Sequence, residues 1–378
     1  MRVLLISKAM LSATAQKKAD LLAALPDVRL TVVSPPFWRA DDGGVQRIEE
    51  VPRAGWELVV TPMRLNGNFH LHSYPALAAI LRAHRPDLVH MDEEPFNFAT
   101  YQALRLARRL GAPALFTTWQ NLYRAYPPPF AWMEQYNYRH AAYALAANQD
   151  AAAVLRRKGY QGPVAVFPQF GVDTELFIPR PRTPRERVRI GCVSRLKPEK
   201  GLDGLIRAYA PLAERADLVI VGRGPAEDEL RALAGELGVG ERVTFAGTLP
   251  SAGVAAAMAD LDILVLPSRT LPNWTEQFGR VLVEAMACAV AVVGSSAGEI
   301  PNVIGDAGLV YPEGEVDALR RCLSVLLDNP TLRAEFAQQG RERAIARYAQ
   351  RHIAAQTYAA WQEMLAARTA PAPPGGAT

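Results

Sequence analysis

Short continuous runs of apolar residues recur through the first half of the chain, separated by longer segments in which apolar positions follow helical spacing. Strands that are buried on both faces of a parallel sheet read as continuous apolar runs, whereas a half-exposed strand alternates. The runs predict strands at 3–6, 30–33, 58–60, 87–90, 114–116, 143–147 and 164–167, and helices at 13–25, 74–83 and 98–110. This alternation of strand and helix predicts a doubly wound parallel sheet.

The second half repeats the pattern after a proline-rich segment at 179–187. Prolines interrupt the hydrogen-bond ladders of strands and helices, so this segment predicts the linker between two domains. Further strands are predicted at 188–193, 218–221, 243–246, 263–266, 290–293 and 309–311. The sequence therefore predicts an α/β protein with two Rossmann-like domains, the first over 1–178 and the second over 188–345.

A long final helix is predicted near 341–367. Its apolar anchors are Tyr348, Ile353, Tyr358, Trp361 and Leu365. We expect the part over 346–368 to return to the first domain. The residues after it, 369–378, are rich in Pro, Gly and Ala, a composition that is typical of disorder.

Size and composition agree with two globular domains. A chain of 378 residues is longer than a single hydrophobic core usually holds. Its content of 49% hydrophobic and 21% charged residues is typical of soluble proteins. The net charge of +4 and the pI of about 9.0 are compatible with an anionic substrate or an anionic membrane face. Because the arginines are dispersed rather than clustered, we expect no nucleic-acid partner.

The cysteines and the apolar runs indicate a compartment. Cys192, Cys288 and Cys322 lie far apart without a Cys-x-x-Cys motif, which favours neither a disulfide framework nor a structural zinc site. The opening run at 1–6 is too short for a signal peptide, and no uncharged apolar run reaches the roughly 18 residues of a membrane span. We expect a cytoplasmic protein, either free or peripheral on the inner face of the membrane.

Two carboxylates, Glu276 and Glu284, lie on either side of Gly279 at the start of an apolar helix. The first turn of a helix has N–H groups without intrahelical acceptors, and the helix dipole adds partial positive charge there, so such an end can bind phosphate. Glu284 is surrounded by apolar residues, and a charge in that setting needs a partner. The segment suits a nucleotide-linked sugar. The alternative is a pair of ordinary carboxylates, one at a helix entry and one on a solvated helix face.

Two more loops follow predicted strands of the same sheet. Arg195 and Lys200 lie after the strand at 188–193, and Gly222 and Gly224 lie after the strand at 218–221. Cations can neutralise a diphosphate leaving group, and glycines permit close approach of a ligand to the backbone. Each loop alone is also typical of a solvated or tight turn. Parallel strands nevertheless bring both loops to one edge of the sheet, where ligands bind.

Taken in order, these motifs resemble the glycosyltransferases group 1 family, which contains retaining enzymes of the GT-B fold. The resemblance covers about 170–311 and rests on Ser194-Arg195 with Lys200-Gly201, Gly222-Arg-Gly-Pro225, Glu276-Gln-Phe-Gly279 through Glu284-Ala-Met-Ala287, and Gly298-Glu-Ile-Pro301. It implies two Rossmann-like domains that face a central cleft. It also implies that the second domain binds a nucleotide sugar.

The resemblance implies roles in catalysis for Arg195, Lys200 and Glu276. The two cations would oppose the charge that grows on the leaving diphosphate, and Glu276 would hold hydroxyls of the transferred sugar. It further implies metal independence, so we expect no cofactor. Retention at the anomeric carbon is implied by the family and by no single residue.

The donor-binding residues that the resemblance implies are Gly222, Gly224, Phe278, Gly279 and Glu284. The first two would let the base and phosphates approach the backbone. The backbone of Phe278 and Gly279 would contact the transferred sugar, and Glu284 would bind the ribose.

The first half departs from the family in two loops. The family usually has paired glycines after its first strand, whereas residues 7–14 of this chain contain none. Where many members have a histidine, residues 117–121 of this chain place Gln120, which can hydrogen-bond a sugar hydroxyl but cannot titrate.

The candidate sugar or acceptor contacts in the first half are Gln120, His72 and Glu93. Glu93 belongs to an acidic run at 92–94 that directly follows a predicted strand, where it either orients an acceptor hydroxyl or is solvated. If their segment is extended, His70 and His72 share one side of it, as half of a metal site would. The favoured alternatives are that they line the cleft or face solvent. The aromatic stretch at 119–138 is an acceptor platform, a membrane-facing flap or ordinary core packing.

The sequence thus predicts an enzyme, a retaining glycosyltransferase of the hexosyltransferase type that acts in polysaccharide biosynthesis. It would move a sugar from a UDP- or GDP-linked donor to an acceptor hydroxyl on a glycan, a lipid-linked molecule or a small molecule. The alternatives are a sugar-nucleotide epimerase or phosphorylase, a sugar-nucleotide-binding protein without turnover, and a degenerate enzyme kept as a scaffold.

Overall fold

A computed structural model describes residues 1–39, 44–181 and 185–369, with side chains described up to residue 367. The chain divides into two compact units. The first unit is Met1–Gln169 together with the chain from Ile353 onward, and the second is Phe170–His352. No helix of the described residues combines the length and apolarity that crossing a bilayer requires.

The described residues form fifteen strands and thirteen α-helices. The strands are β1 (Arg2–Ile6), β2 (Arg29–Ser34), β3 (Phe37–Arg39), β4 (Val45–Arg47), β5 (Glu57–Val60), β6 (Leu88–Met91), β7 (Ala114–Thr118), β8 (Tyr143–Ala146), β9 (Val164–Val166), β10 (Val188–Val193), β11 (Ala216–Val221), β12 (Val243–Gly247), β13 (Ile263–Leu266), β14 (Ala291–Ser295) and β15 (Gly308–Tyr311). The helices are α1 (Ala13–Ala23), α2 (Leu77–His84), α3 (Phe98–Arg109), α4 (Phe130–His140), α5 (Gln149–Arg157), α6 (Leu202–Tyr209), α7 (Glu227–Glu236), α8 (Ser251–Ala259), α9 (Arg280–Ala287), α10 (Ile300–Ile304), α11 (Val316–Asp328), α12 (Pro330–Arg343) and α13 (Gln350–Thr369).

Each unit is built on one parallel sheet. The first sheet has seven strands in the order β5-β2-β1-β6-β7-β8-β9, and the second has six in the order β12-β11-β10-β13-β14-β15. In both sheets the first strand lies inside, and the order of addition reverses beside it, between β1 and β6 and between β10 and β13. Such reversals are the switch points at which doubly wound sheets bind ligands.

The predicted strands of both sheets are confirmed, and the strands at the centre of each sheet are buried on both faces. All residues of β6, β8, β13 and β14 are buried. Helices cover the sheets through amphipathic faces, for example Leu205 and Ile206 of α6 in the second core and Leu104 of α3 in the first. Buried parallel strands therefore explain the continuous apolar pattern.

The sequence pattern does not predict one element, the antiparallel ribbon of β3 and β4. Its strands pair Phe37 with Arg47 and Arg39 with Val45, and β4 is exposed throughout. Strands of three residues that bury no face leave no hydrophobic period to detect.

The prediction of one continuous final helix is wrong. Helix α12 ends at Arg343, a π-helical turn follows at Ala344–Tyr348, and Ala349 is extended with φ −60° and ψ 140° before α13 begins. The break has a physical cause, because Val172 pairs with the chain there. Its N–H donates to the carbonyl of Tyr348 at 2.8 Å, and its carbonyl accepts from the N–H of Gln350 at 3.0 Å.

Helix α13 packs on the first unit from Ile353 onward. The Trp361 indole donates to His90 Nδ1 at 3.2 Å, and the Tyr143 hydroxyl donates to Glu363 at 2.7 Å. The division between the units falls at Gln169, ahead of the segment at 179–187 where the sequence predicts the linker. Residues 182–184 of that segment and residues 370–378 of the predicted tail lie outside the described residues.

Candidate functional site

The switch point of the second unit lies where β10 and β13 end side by side. The loop after β10 contains Arg195 and Lys200, and the chain after β13 contains Ser268 and Glu276 before α9 begins. Parallel pairing brings these strand ends to one edge, as the sequence predicts.

Lys200 and Glu276 are in direct contact at this edge. The Lys200 ammonium donates to Glu276 Oε2 at 2.7 Å, and the Ser268 hydroxyl donates to the same oxygen at 2.8 Å. The Trp274 ring lies 4.4 Å from the ammonium, measured to the ring centroid. Both charged side chains are largely buried, with 18% and 12% of their surface exposed. A cation and a carboxylate therefore meet at the start of α9.

Close backbone packing holds Lys200 there. Gly201, which follows it, has φ 66°, and a Cβ atom at this position would lie 2.1 Å from the carbonyl oxygen of Pro267. Only glycine fits both the left-handed conformation and this distance. The loop after β10 is thereby pressed against the loop after β13.

The predicted helix start near Gly279 is confirmed. Gly279 is the N-cap of α9 with φ 76°, and Phe278 before it is buried with its ring 5.6 Å from that of Tyr348. The first N–H groups of such a helix have no intrahelical acceptor, so the turn offers donors to an anion.

Glu284 lies one turn further along α9, with 5% of its surface exposed. Burial raises the pKa of its carboxyl group, and the Arg280 guanidinium, 3.3 Å away, opposes that rise. Arg280 is itself 55% exposed. The buried charge thus has the partner that the sequence requires, an arginine whose own side chain is more than half exposed.

Gly222 and Gly224 fit against protein rather than against open space. A Cβ atom would lie 1.9 Å from Ser194 O at Gly222 and 2.3 Å from Leu196 O at Gly224. The two glycines allow the loops after β10 and β11 to pack together. This packing shapes the edge near the predicted donor site.

Arg195 does not join the Lys200 cluster. Its side chain is exposed, and no hydrogen bond or ion pair connects its guanidinium with another residue in the described parts of the chain. An unpaired guanidinium at this strand end remains available to an anion.

The switch point of the first unit gathers a second polar cluster. The Lys8 ammonium after β1 forms an ion pair with Glu93 after β6, and the Ser7 hydroxyl donates to Asp92 at 2.6 Å. The His72 Nε2 atom lies 3.5 Å from Glu93 Oε1. Two of the predicted acceptor contacts, His72 and Glu93, are therefore neighbours, and Glu93 is paired rather than solvated.

The two neighbouring glutamates, Glu93 and Glu94, have pKa values that are shifted in opposite directions. Burial raises the pKa of Glu93, but the Lys8 ammonium and His72 outweigh it and hold the pKa at about 2. Burial raises the pKa of Glu94 to about 7, although the Thr118 hydroxyl and the Trp119 N–H, each at 2.7 Å, stabilise its carboxylate. One acid is a fixed charge, and the other titrates near neutral pH.

The third candidate, Gln120, lies beside a buried ion pair. Lys158 donates to Gln120 Oε1 at 3.0 Å and to Glu134 Oε1 at 2.7 Å. Since an ammonium only donates, the carbonyl oxygen of Gln120 faces Lys158, and its amide N–H groups face away. The amide lies 3.5 Å from the Tyr126 hydroxyl.

The aromatic stretch at 119–138 divides between core and surface. Met133 and Tyr138 are buried, whereas Trp132 is 53% exposed. His70 packs among Phe96, Tyr126 and Phe130 at centroid distances of 5.2–5.8 Å. Within the described residues, no group of three or more His, Cys, Asp or Glu side chains is arranged to hold a metal ion.

Sequence reasoning missed four polar or aromatic residues of these clusters: Ser268, Trp274, Lys8 and Lys158. A signal exists for the two lysines, since the chain has only six lysines among 42 basic residues. A compact ammonium kept in an arginine-rich chain indicates a geometric need. Trp274 lies in a loop and carries no periodic signal.

Two family models match the chain in succession. "Glycosyl transferase 4-like domain" matches residues 12–170, and "Glycosyl transferases group 1" matches residues 173–343. The chain belongs to the group 1 glycosyltransferases. The predicted family is thus confirmed, and the first match ends within one residue of Gln169, where the first unit gives way to the second along the chain.

Comparison with curated proteins finds similar sequences of this family. The chain is 37% identical over 202 residues to a GDP-mannose-dependent α-(1-6)-phosphatidylinositol monomannoside mannosyltransferase of Mycolicibacterium smegmatis, covering 49% of this chain and 53% of that protein. It is 28% identical over 277 residues to a 2-deoxystreptamine N-acetyl-D-glucosaminyltransferase of Streptomyces fradiae, covering 65% and 64%. The chain thus spans about half the length of the first of these relatives.

The fold has solved counterparts. Sucrose-phosphate synthase from Thermosynechococcus elongatus matches with a TM-score of 0.74 and 20% identity, over 97% of this chain and 100% of that one. The predicted GT-B fold class, with two doubly wound parallel sheets, is confirmed.

Proposed function

We propose that this group 1 glycosyltransferase is an active, retaining enzyme that transfers a sugar from a UDP- or GDP-linked donor to an acceptor hydroxyl. The observation that carries the proposal is the contact of Lys200 with Glu276 at the switch point, beside the N-terminus of α9. A phosphate-binding cation and a hydroxyl-binding carboxylate lie together where a nucleotide sugar needs both. The mannosyltransferase of M. smegmatis is named for a GDP-mannose donor, which makes GDP-linked sugars the first to test.

Charge stabilisation explains how these residues would act. The bond from the anomeric carbon to the diphosphate breaks with its electron pair on the phosphate oxygen, and a new bond forms to the acceptor oxygen, whose proton leaves with the diphosphate. Arg195, Lys200 and the first turn of α9 oppose the growing negative charge. Glu276 holds hydroxyls of the sugar, and Glu284 accepts from the ribose hydroxyls. On this proposal no divalent ion is needed.

The acceptor contacts are proposed in the first unit, at Glu93, His72 and Gln120. Glu93 remains ionised and accepts from hydroxyls, whereas Gln120 offers amide N–H groups because Lys158 occupies its oxygen. Glycans, lipid-linked glycans and small molecules present such hydroxyls.

Peripheral contact with the inner face of a membrane, in the cytoplasm, is part of the proposal. Helices α3 and α4 carry the exposed arginines Arg105, Arg108, Arg109 and Arg139, and their one carboxylate, Glu134, is buried against Lys158. Exposed Trp132 lies on the same helix pair. Arginines with an aromatic anchor suit anionic headgroups.

Nucleotide-sugar binding tests the donor site. Thermal unfolding is followed with a panel of UDP- and GDP-sugars, and the best donor is repeated on Lys200→Ala and Glu284→Ala. We expect each substitution to weaken the donor about ten- to hundredfold, since hydrogen bonds to charged groups contribute about 1.5–3 kcal/mol. Lys197→Ala is the matched control and keeps wild-type affinity. Full donor stabilisation in both site variants would refute the site.

Turnover separates an enzyme from a binding protein. Release of nucleotide diphosphate that rises with acceptor supply supports transfer, whereas conversion of donor without acceptor indicates an epimerase. Activity is expected to survive EDTA. Loss of activity that only a divalent ion restores contradicts the metal-free mechanism.

A further inference from the structure

Trp274 lies at the end of a tight hairpin between β13 and α9. The N–H of Leu271 donates to the carbonyl of Trp274 at 2.7 Å, and the N–H of Trp274 donates back at 3.1 Å. This reciprocal pair of hydrogen bonds fixes the backbone of Trp274 within the hairpin.

Side chains on both sides of the hairpin hold it in place. The hydroxyls of Thr270 and Thr275 are 3.0 Å apart, and Glu313 accepts from both the N–H and the hydroxyl of Thr270 at 2.9 Å. The loop that carries the Trp274 ring is therefore held by hydrogen bonds from both of its sides.

The ring faces the Lys200 ammonium at 4.4 Å, while Glu276 accepts one of its hydrogens at 2.7 Å. An ammonium has three N–H donors. Within the described residues, the Lys200 ammonium donates a hydrogen bond to Glu276 and to no other acceptor. The cation is thus held on two sides and remains able to bind an anion.

We propose that Trp274 is a positioning residue that sets the affinity of the second unit for a diphosphate, by holding the Lys200 ammonium in its binding position before the ligand arrives. The inference rests on the proposed function, because it concerns the same donor site. A lysine has a long flexible stem, and immobilising it on binding costs conformational entropy. A ring that already holds the ammonium removes part of that cost, which is the principle of preorganisation.

The ring also acts where cation–π attraction is strong. Tryptophan has the best aromatic face for a cation, and the attraction grows when water is excluded, as it is around this largely buried lysine. Phenylalanine at this position would keep a ring face, whereas leucine would keep bulk alone.

Titration of GDP and of UDP into the intact chain tests the inference by calorimetry. We expect Trp274→Leu to weaken the better nucleotide about three- to tenfold, from the usual strength of a cation–π contact. Trp274→Phe restores most of the affinity. In a Lys200→Met background, Trp274→Leu changes the affinity less than about twofold, because the ring acts through the ammonium.

Matched controls separate positioning from folding. Trp56→Leu replaces a tryptophan of the first unit that lies outside the proposed donor, acceptor and membrane residues, and it leaves nucleotide affinity unchanged. Far-ultraviolet circular dichroism and thermal unfolding show whether each variant is folded. If Trp274→Leu is not folded, Trp274→Met, which also lacks a ring, takes its place with the same expected loss.

The outcomes distinguish this inference from the proposed function. Nucleotide affinity that is unchanged in Trp274→Leu overturns the inference alone. An equal loss in the Lys200→Met background also overturns it, because Trp274 would then act on the ligand without the lysine. A wild-type protein that binds neither nucleotide overturns the proposed function, and the inference with it.

Discussion

Glu94 has surroundings that favour its protonated form near neutral pH. Burial raises the pKa of its carboxyl group from 4.5 to about 7. Between these values the folded protein keeps a proton that the unfolded chain releases, so the contribution of Glu94 to stability is lost as the pH rises through that window. Glu94→Gln imitates the protonated acid, because its amide can accept from Trp119 N–H and donate to Thr118. We expect the variant to gain up to about 3 kcal/mol over wild type between about pH 4.5 and 7.5.

Urea unfolding at several pH values across this window measures the gain. Glu50→Gln removes an exposed carboxyl of the same unit and is expected to show no such pH dependence. A constant difference between Glu94→Gln and wild type at all pH values would mean that Glu94 titrates normally.

At the residue scale, the sequence predicts individual groups better than their contacts. Order along the chain places Lys200, Glu276 and Glu284 near strand ends and a helix start, because parallel strands share one edge. It cannot predict that Lys200 bonds to Glu276, since two loops of unknown conformation must meet. The contact of Trp274 with Lys200 is unpredictable for the same reason. Two helices and a strand separate Gln120 from Lys158 along the chain, so their hydrogen bond forms only in the folded protein.

At the element scale, helices α3 and α4 form one basic and aromatic surface. The ring of Tyr101 lies 5.1 Å from that of Trp132 and 4.9 Å from that of Tyr136. Burial lowers the pKa of His140, and Arg108 and Arg139 lower it further. No exposed carboxylate on either helix offsets them.

We expect this surface to bind vesicles of phosphatidylcholine with about 30% phosphatidylglycerol, and not phosphatidylcholine alone. The double variant Arg105→Ser and Arg139→Ser should bind about ten- to thirtyfold more weakly, since each basic residue near an anionic surface contributes about 1 kcal/mol. Vesicle sedimentation at low and at physiological salt measures the change, and salt should weaken wild-type binding.

The control for vesicle binding removes the same charge elsewhere. Arg231→Ser with Arg320→Ser takes two exposed arginines from helices of the second unit. Equal weakening by both double variants would show that net charge, and not the α3–α4 surface, attracts the membrane. Donor binding is measured on the same samples, so the two proposals fail separately.

Strands and helices were predictable where burial leaves a pattern of apolar residues in the sequence. Strands β6, β8, β13 and β14 are buried on both faces, and their apolar runs reveal them. The ribbon of β3 and β4 buries little and leaves no pattern. The break before α13 depends on Val172, which is remote in sequence, so no local signal marks it.

At the scale of the whole molecule, the chain returns to its first unit through α13. Trp361 of this helix is fully buried, and its indole donates to Nδ1 of His90. An indole only donates, so Nδ1 accepts and the Nε2–H of His90 donates to the Thr117 hydroxyl at 3.2 Å. Burial, with Lys18 nearby, lowers the pKa of His90 well below its usual value, which keeps the ring neutral. The C-terminal helix thereby completes a core that begins with the first strand.

Trp361→Ala should therefore destabilise the first unit by about 3–5 kcal/mol, through a large cavity and an unsatisfied His90 nitrogen. Urea unfolding followed by circular dichroism measures the loss, and Trp132→Ala, which removes an exposed tryptophan, should change stability by less than about 0.5 kcal/mol. Because Lys200, Glu276 and Glu284 belong to the second unit, Trp361→Ala should still bind the nucleotide with wild-type affinity at temperatures where the variant is folded. Loss of nucleotide affinity in a folded Trp361→Ala protein would show that the donor site depends on the first unit, against the assignment of that site to the second unit alone.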